Sequence, residues 1–142
     1  IATLDFILNM KIRRIEGLGI KFTVKTDIDS IKIDESDFVV LMGNLLDNAI
    51  EAAAKCPLKS RAISLWLKEV NGMFLITMEN TAQIEPEQKN GRFLTSKKNK
   101  KEHGWGIQSM RHIVEKYDGD IKFEYEAGSF RVEITIWKCM NE

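Results

Sequence analysis

The run between Asp34 and Pro57, ESDFVVLMGNLLDNAIEAAAKC, constrains the fold more than any other part of the chain. Phe38, Leu41, Met42, Leu45, Ala49, Ala52 and Ala53 recur at the 3.6-residue period, which predicts a long helix with one apolar stripe. Asp34 stands at the N-cap position, and Asp37 adds negative charge near the positive end of the helix dipole. Pro57 restricts its predecessor and lacks the N–H needed to continue, so the helix ends at about Lys55. Asn44, Asn48 and Glu51 fall on the opposite side, with Asp47 beside them. A stripe of this length must be buried against a second layer.

The flanking segments supply one. Residues 1–17 show helical spacing through Ile1, Leu4, Ile7, Leu8, Ile12 and Ile15, which Gly17 and Gly19 then interrupt. Ile20 to Val24 and Ser30 to Asp34 read as strands, the second with Ile31 and Ile33 on one face, joined by a turn over Asp27 to Ser30. Ala62–Val70 and Met73–Glu79 flank Asn71-Gly72, a dipeptide that favours a two-residue hairpin turn. From Thr81 to Gly104 no apolar period is sustained, and the segment carries Pro86, Gly91 and the basic run KKNKK. Connections of that length in compact domains are usually functional or mobile, so the segment reads as a lid. Ile107, Met110, Ile113, Val114 and Tyr117 restore helical spacing, and Asp120–Tyr125 and Phe130–Trp137 form a closing antiparallel pair about Gly128. Trp66 and Trp137 read as core or sheet-cover residues, and Met73, Met78 and Met110 as ordinary packing. The expected architecture is a single domain over residues 1–142. It is an α/β two-layer sandwich whose mixed, largely antiparallel sheet carries about three helices on one face.

Composition narrows the partners. With 44 % hydrophobic and 30 % charged residues and two prolines in 142, the chain is neither disordered nor collagenous. Lys plus Arg (21) equals Asp plus Glu (21), so no net charge draws it to nucleic acid or anionic lipid. KKNKK has no aromatic platform and reads as a hydrated loop; no nucleic-acid partner is expected. Cys56 and Cys139 are too few for a disulfide scaffold and lack zinc-ligand spacing, which suits a reducing compartment. Lys, Glu or Asp breaks every apolar stretch, so neither a bilayer span nor a signal peptide is expected. The opening on Ile1 in mid-element reads as an excised fragment of a longer protein.

Two segments carry chemistry. Asparagine is a poor helix-interior residue because its amide competes for backbone hydrogen bonds, yet Asn44 and Asn48 sit on adjacent turns of one face. Either that face is solvated, or it is an oxygen-rich strip on which Asn48 meets a hard ion such as magnesium and phosphates supply the other ligands. In GRFLTSKKNKKEHGWGIQSM, Gly104 and Gly106 permit close backbone approach. A helix starting near Gly106 would aim unpaired N–H groups at a polyphosphate. A lone Gly-x-Gly is weak evidence for phosphate and more often simply shapes a loop-to-helix turn. Lys97 and Lys98 could meet phosphates as flexible point charges, and His103 sits beside the glycines.

Together these segments resemble the ATP-binding catalytic domain of sensor histidine kinases, a Bergerat-type fold within the larger family of gyrase, Hsp90 and the MutL mismatch-repair proteins. The resemblance covers nearly the whole chain. NLLDNAIEAA matches the N-box and implies that Asn48 ligates magnesium. HGWGI matches the glycine-rich box and implies that His103, Gly104, Gly106 and Ile107 lie beside the triphosphate of ATP. GRFLTSK resembles the front of the ATP lid, with Lys97 and Lys98 following it. Where the family has Asp-x-Gly this chain has MENTA: Asn80 falls on the aspartate that accepts from the adenine amino group, and Ala82 replaces the glycine. Asn still accepts through its oxygen, but it is neutral and also donates.

In the water-splitting relatives the first N-box position is a glutamate; here it is Asn44, whose amide is not an effective general base, which favours phosphoryl transfer. The Asn at the adenine position, the compact lid and the opening LDFILNMKIRRIEGLGI are most similar to the peptide-pheromone quorum-sensing kinases of Gram-positive bacteria. Leu4, Asp5, Ile7, Leu8, Asn9 and Lys11 match that branch's LD-x-I-L-N-x-K, although the residues alone read as a packed helix with wet polar positions.

The resemblance implies transfer of the gamma phosphoryl group of Mg-ATP to a histidine outside this fragment. Residues 1–17 would be a linker helix from a dimerisation and histidine-phosphotransfer region, and 81–104 the lid. The implied partners are that region and a response regulator. The full-length protein would be a homodimer, with this domain on the cytoplasmic side of a bacterial integral membrane protein. Neither His103 nor His112 matches the phosphoacceptor. An ATP hydrolase of the same fold, and a nucleotide-gated protein-interaction module, are the alternatives. Glu51 and Asp47 read as surface residues.

Overall fold

The computed structural model describes residues 1–83, 88–89, 92–93 and 100–137, with backbone alone at 88–89, 92–93 and 100–105. Its elements are α1 (Ala2–Gly17), β1 (Lys21–Asp27), α2 (Glu35–Ala54), a short 3-10 turn (Leu58–Ser60), β2 (Ala62–Val70), β3 (Met73–Thr81), β4 (Gln88–Lys89), β5 (Arg92–Phe93), α3 (Lys100–Lys116), β6 (Asp120–Glu126) and β7 (Ser129–Ile136). Five strands form one sheet in the order β1-β2-β3-β7-β6. β1 runs parallel to β2 and every other neighbour is antiparallel, so the sheet is mixed.

The hairpin β2–β3 forms about Asn71 (φ 51°) and Gly72 (φ 82°), both left-handed as a tight turn matching strand twist requires. β6 and β7 join the same way through Ala127 and Gly128. Strict alternation then sorts the faces: Ile63, Leu65 and Leu67 of β2, Phe74, Ile76 and Met78 of β3, and Val132, Ile134 and Ile136 of β7 point at the helices. The other face is polar where Arg131 meets Glu79 at 3.3 Å.

The three helices lie on the one buried face. The stripe of α2 is wider than its periodicity predicts: Leu46 and Ile50 are fully buried along with Phe38, Leu41, Met42, Leu45, Ala49 and Ala53, whereas Ala52 is half-buried. α2 is the middle helix, flanked by both α1 and α3, so three surroundings rather than one exclude water from it.

Several expectations are corrected or refined. Ser30 to Asp34 forms no strand; Ile33 is buried and Ile31 partly so, but as anchors of an irregular descent from the sheet edge to α2. Asp34 occupies the N-cap position without a side-chain cap bond; its backbone N–H donates instead to the Tyr117 hydroxyl at 3.0 Å. Trp137, just beyond β7, is exposed rather than packed, while Trp66 lies half-buried on the outer sheet face. α3 begins at Lys100, so Gly106 lies inside a helix and its N–H is not at an open helix end. The segment read as a patternless lid includes the last residue of β3, the small hairpin of β4 and β5, and the first turn of α3.

Candidate functional site

Among the described residues Asn80 is the buried polar side chain, 4 % exposed. Register places it across from Ile63 on one side and Phe130 on the other, on the helix-facing side of the sheet and next to the end of β3. Its Nδ2 donates to the Thr81 carbonyl at 3.0 Å, which orients the amide. Ala82 is buried just beyond: its N–H donates to the Gly128 carbonyl at 2.8 Å, and the Tyr125 hydroxyl approaches its own carbonyl at 3.4 Å. The strand end that carries Asn80 is therefore fastened to the β6–β7 turn. A neutral amide can be kept among apolar neighbours at far lower cost than a carboxylate.

Asn44 and Gly106 are brought together. A Cβ at Gly106 would stand 3.0 Å from Asn44 Oδ1 and 3.5 Å from its Cγ, so the absence of a side chain at Gly106 is what lets the Asn44 amide lie on the backbone of α3. Asn48 is half-buried one turn further along α2, on the same flank, and Ile107 is half-buried against the core. Gly104 lies in α3, as does the backbone of His103. Lys97 and Lys98 lie outside the described residues. Glu51 is half-buried on α2.

Asp37, read from the sequence as charge near the positive end of the α2 dipole, forms a clasp with Lys116 and Tyr117 at the other end of α2 and α3. Asp37 Oδ2 accepts from Lys116 Nζ at 2.8 Å and from the Tyr117 hydroxyl at 2.6 Å. These two bonds hold the Asp37 carboxyl below its ordinary pKa. Burial, reinforced by the Asp37 bond, raises that of Tyr117, and the same carboxylate raises that of Lys116. The helical period marks Tyr117 only as an apolar position, but a tyrosine on a buried stripe needs a partner for its hydroxyl, and that is the signal in the sequence for this contact. The contacts Asp37–Lys116 and Asn44–Gly106 make α2 and α3 antiparallel. Between them lies an open groove of about 560 Å³ lined by Val40, Gln108, Ser109, His112 and Ile113. It lies on the side of the Asn44–Gly106 contact away from Asn48.

Among the described residues no three His, Cys, Asp or Glu side chains converge as a metal cage. A hard ion here would need most of its ligands from outside the protein. Asn48, half-buried on the Asn44 flank of α2, offers one amide oxygen, and magnesium is the hard ion that fits so few protein ligands, since it keeps waters and substrate oxygens in its shell.

Comparison with known proteins adds the following. Residues 33–137 match the family described as GHKL domain. The sensor histidine kinase NatK of Bacillus subtilis is 30 % identical over 130 residues, covering 87 % of this chain and 40 % of NatK. The "Probable C4-dicarboxylate sensor kinase" of Halalkalibacterium halodurans is 27 % identical over 123 residues, 82 % of this chain and 23 % of that relative. The chain thus spans less than half the length of either. In structure, the nucleotide-free catalytic domain of histidine kinase ThkA matches with a TM-score of 0.77 at 20 % identity, over 96 % of this chain and 92 % of that one. ThkA in complex with the response regulator TrrA matches with a TM-score of 0.73 at 18 % identity, over 96 % of this chain and 40 % of that one. Likeness at that identity shows a common fold. Among the described residues no helix is long and apolar enough to cross a membrane.

Proposed function

The chain belongs to the GHKL domain family, and from that premise we propose that it is the ATP-binding catalytic domain of a sensor histidine kinase. The observation that carries the reading is Asn80, a buried, uncharged acceptor fastened at a strand end on the helix-facing side of the sheet. There it accepts from the adenine amino group. Asn48 would supply an oxygen to magnesium, which would contribute neutralisation of phosphate charge. Gly104, Gly106 and Ile107 line the phosphate side, with His103, Lys97 and Lys98 joining them from the lid over 81–104. Asn44 holds the phosphate end without acting as a base: its amide lies on Gly106, so it orients rather than ionises. A water nucleophile is left unactivated, and the gamma phosphoryl group is available to a histidine held by another domain.

That acceptor is the kinase's own dimerisation and histidine-phosphotransfer region, reached through α1, and the phosphoryl group passes on to a response regulator. The full-length protein is a homodimer, with this domain on the cytoplasmic side of a bacterial integral membrane protein. Asn80 and the α1 segment Leu4, Asp5, Ile7, Leu8, Asn9 and Lys11 favour the peptide-pheromone branch. The replacement of Asp-x-Gly by Asn80-Thr81-Ala82 favours one second reading, a nucleotide-gated interaction module. Incubation with labelled Mg-ATP and a supplied dimerisation and histidine domain distinguishes them. Label on the supplied histidine is expected. Nucleotide binding without transfer would leave the interaction module, and release of free phosphate without acceptor would leave a hydrolase.

A further inference from the structure

Lys11 sits where an apolar residue belongs. Leu4 and Ile7 of α1 are 2 % exposed, and at 100° per residue Lys11 falls on the arc between them. Its side chain is only 22 % exposed. A lysine on a buried helix face is costly unless it is paired. Its Nζ lies 2.8 Å from Asp47 Oδ1, with Arg14 Nη1 at 4.0 Å from the same oxygen. Although the Asp47 side chain is 40 % exposed overall, Oδ1 itself is closed to water and has no partner in hydrogen-bond geometry. Its charge is therefore answered by Lys11 and, less closely, by Arg14.

We propose that Lys11 is a positioning residue for the Asn48 turn of α2, acting through Asp47, so that α1 sets the strength with which this domain holds magnesium and nucleotide. The inference rests on the nucleotide reading above. Asp47 immediately precedes Asn48, and one residue of helix turns it from the α3 flank to the α1 flank. α2 is the middle helix, gripped by α1 through Thr3–Glu35 near its start and Lys11–Asp47 further on, and by α3 through Asn44 and Gly106. Leu45, Leu46, Ala49 and Ile50 around this turn are almost wholly buried. A close-packed turn passes on a displacement rather than absorbing it. An apolar contact at position 11 would let α1 slide on α2, whereas an ion pair to a water-excluded oxygen sets one register.

Lys11→Met keeps the stem and removes the charge; Lys11→Arg keeps the charge. Each is made in the wild-type and Asn48→Ala backgrounds, and ATP affinity is measured with and without magnesium. In the nucleotide-free chain the Asn48 side-chain amide resonance is followed by NMR. Lys11→Met is expected to weaken Mg-ATP binding roughly 5-fold or more, to leave magnesium-free ATP binding unchanged, and to move the Asn48 resonance, whereas Lys11→Arg matches wild type. In the Asn48→Ala background Lys11→Met should add no further loss. An equal loss in both backgrounds, or an unmoved Asn48 resonance, overturns the proposal. If Asn48→Ala alone leaves magnesium-dependent affinity intact, the nucleotide reading fails, and the resonance in the free chain still decides whether Lys11 positions Asn48.

Discussion

Asn80 is a buried amide whose Nδ2 is answered by the Thr81 carbonyl, and on the nucleotide reading its Oδ1 accepts from the adenine amino group. Asn80→Ala removes a buried partner worth about 1–3 kcal/mol. ATP binding should then weaken roughly 5- to 150-fold at 25 °C. GTP presents a carbonyl at the same ring position, so it should bind poorly to wild type and lose little more. Competition binding of the two nucleotides reads this directly, and an alanine variant with unchanged ATP-over-GTP preference would make Asn80 a structural strand-end residue.

Asp37 makes the other prediction at this scale. Its carboxyl pKa is lowered in the fold by the Lys116 and Tyr117 bonds, so the ionised form is favoured in the native state. The resulting stabilisation is complete above the unfolded carboxylate value and is lost as pH falls through the lowered folded value. Asp37→Asn should therefore be less stable than wild type near neutrality, with the gap closing in acid. Thermal midpoints recorded from pH 7 down to about pH 3 check the sign. A gap that widened in acid would rule out this clasp as the source. Tyr117 acts with the opposite sign: its pKa is raised, so its contribution is present below the unfolded tyrosine value and fades as pH climbs through the folded one.

Among the elements, α2 and α3 form the working pair, held apart or together by what stands at Gly106. Alanine is about 1 kcal/mol better than glycine inside a helix, so Gly106→Ala should not lower the thermal midpoint. Its new Cβ would press the Asn44 amide at 3.0 Å, and that amide end can rotate away. Mg-ATP affinity should fall while stability holds or rises. A lower midpoint with unchanged affinity would make Gly106 a packing residue only. The ends of α1 and α3 show how far local signals reach. α1 stops with Gly19 at φ 68°, where Gly19 N–H donates to the Glu16 carbonyl and Ile20 N–H to that of Ile15. α3 closes with the same pair of bonds, Asp118 to Glu115 and Gly119 to Val114, but with Asp118 in the left-handed position at φ 52°. Gly119 is needed next to it for space, because a Cβ there would meet the Thr135 carbonyl at 2.5 Å.

For the whole molecule, three helices on one sheet face leave Asn80 at a strand end, Asn44 between two helices and α1 on the far flank of α2. Incubation with labelled ATP alone should phosphorylate neither His103 nor His112, although His112 stands exposed on α3. The same sample should show slower hydrogen exchange over Gly104 to Ile107 once Mg-ATP is bound. Label on either histidine would overturn the assignment of the acceptor to another domain. Unchanged exchange with verified occupancy would separate this turn of α3 from the phosphates.

Helix periodicity, the Asn71-Gly72 turn and Pro57 are local signals. From them α2, the β2–β3 hairpin and the closing strand pair can be read without a structure, because each depends on residues within a few positions of one another. Asn44 and Asn48 could be singled out for a similar reason: a polar amide inside a helix is conspicuous against its own period, whereas Asn80 stands out only through the resemblance of MENTA to the family's Asp-x-Gly. Two isoleucines at alternate positions looked equally local, yet Ile31 and Ile33 belong to no strand, since a ladder needs a neighbour and that is a tertiary matter. The extra buried width of α2, from Leu46 to Ile50, follows from its place between two helices. The early start of α3 and the bonds from Asp37 to Tyr117 and from Lys11 to Asp47 join residues far apart in the chain. Whether a charge faces water or a partner there depends on which surfaces meet, and only the folded arrangement decides that.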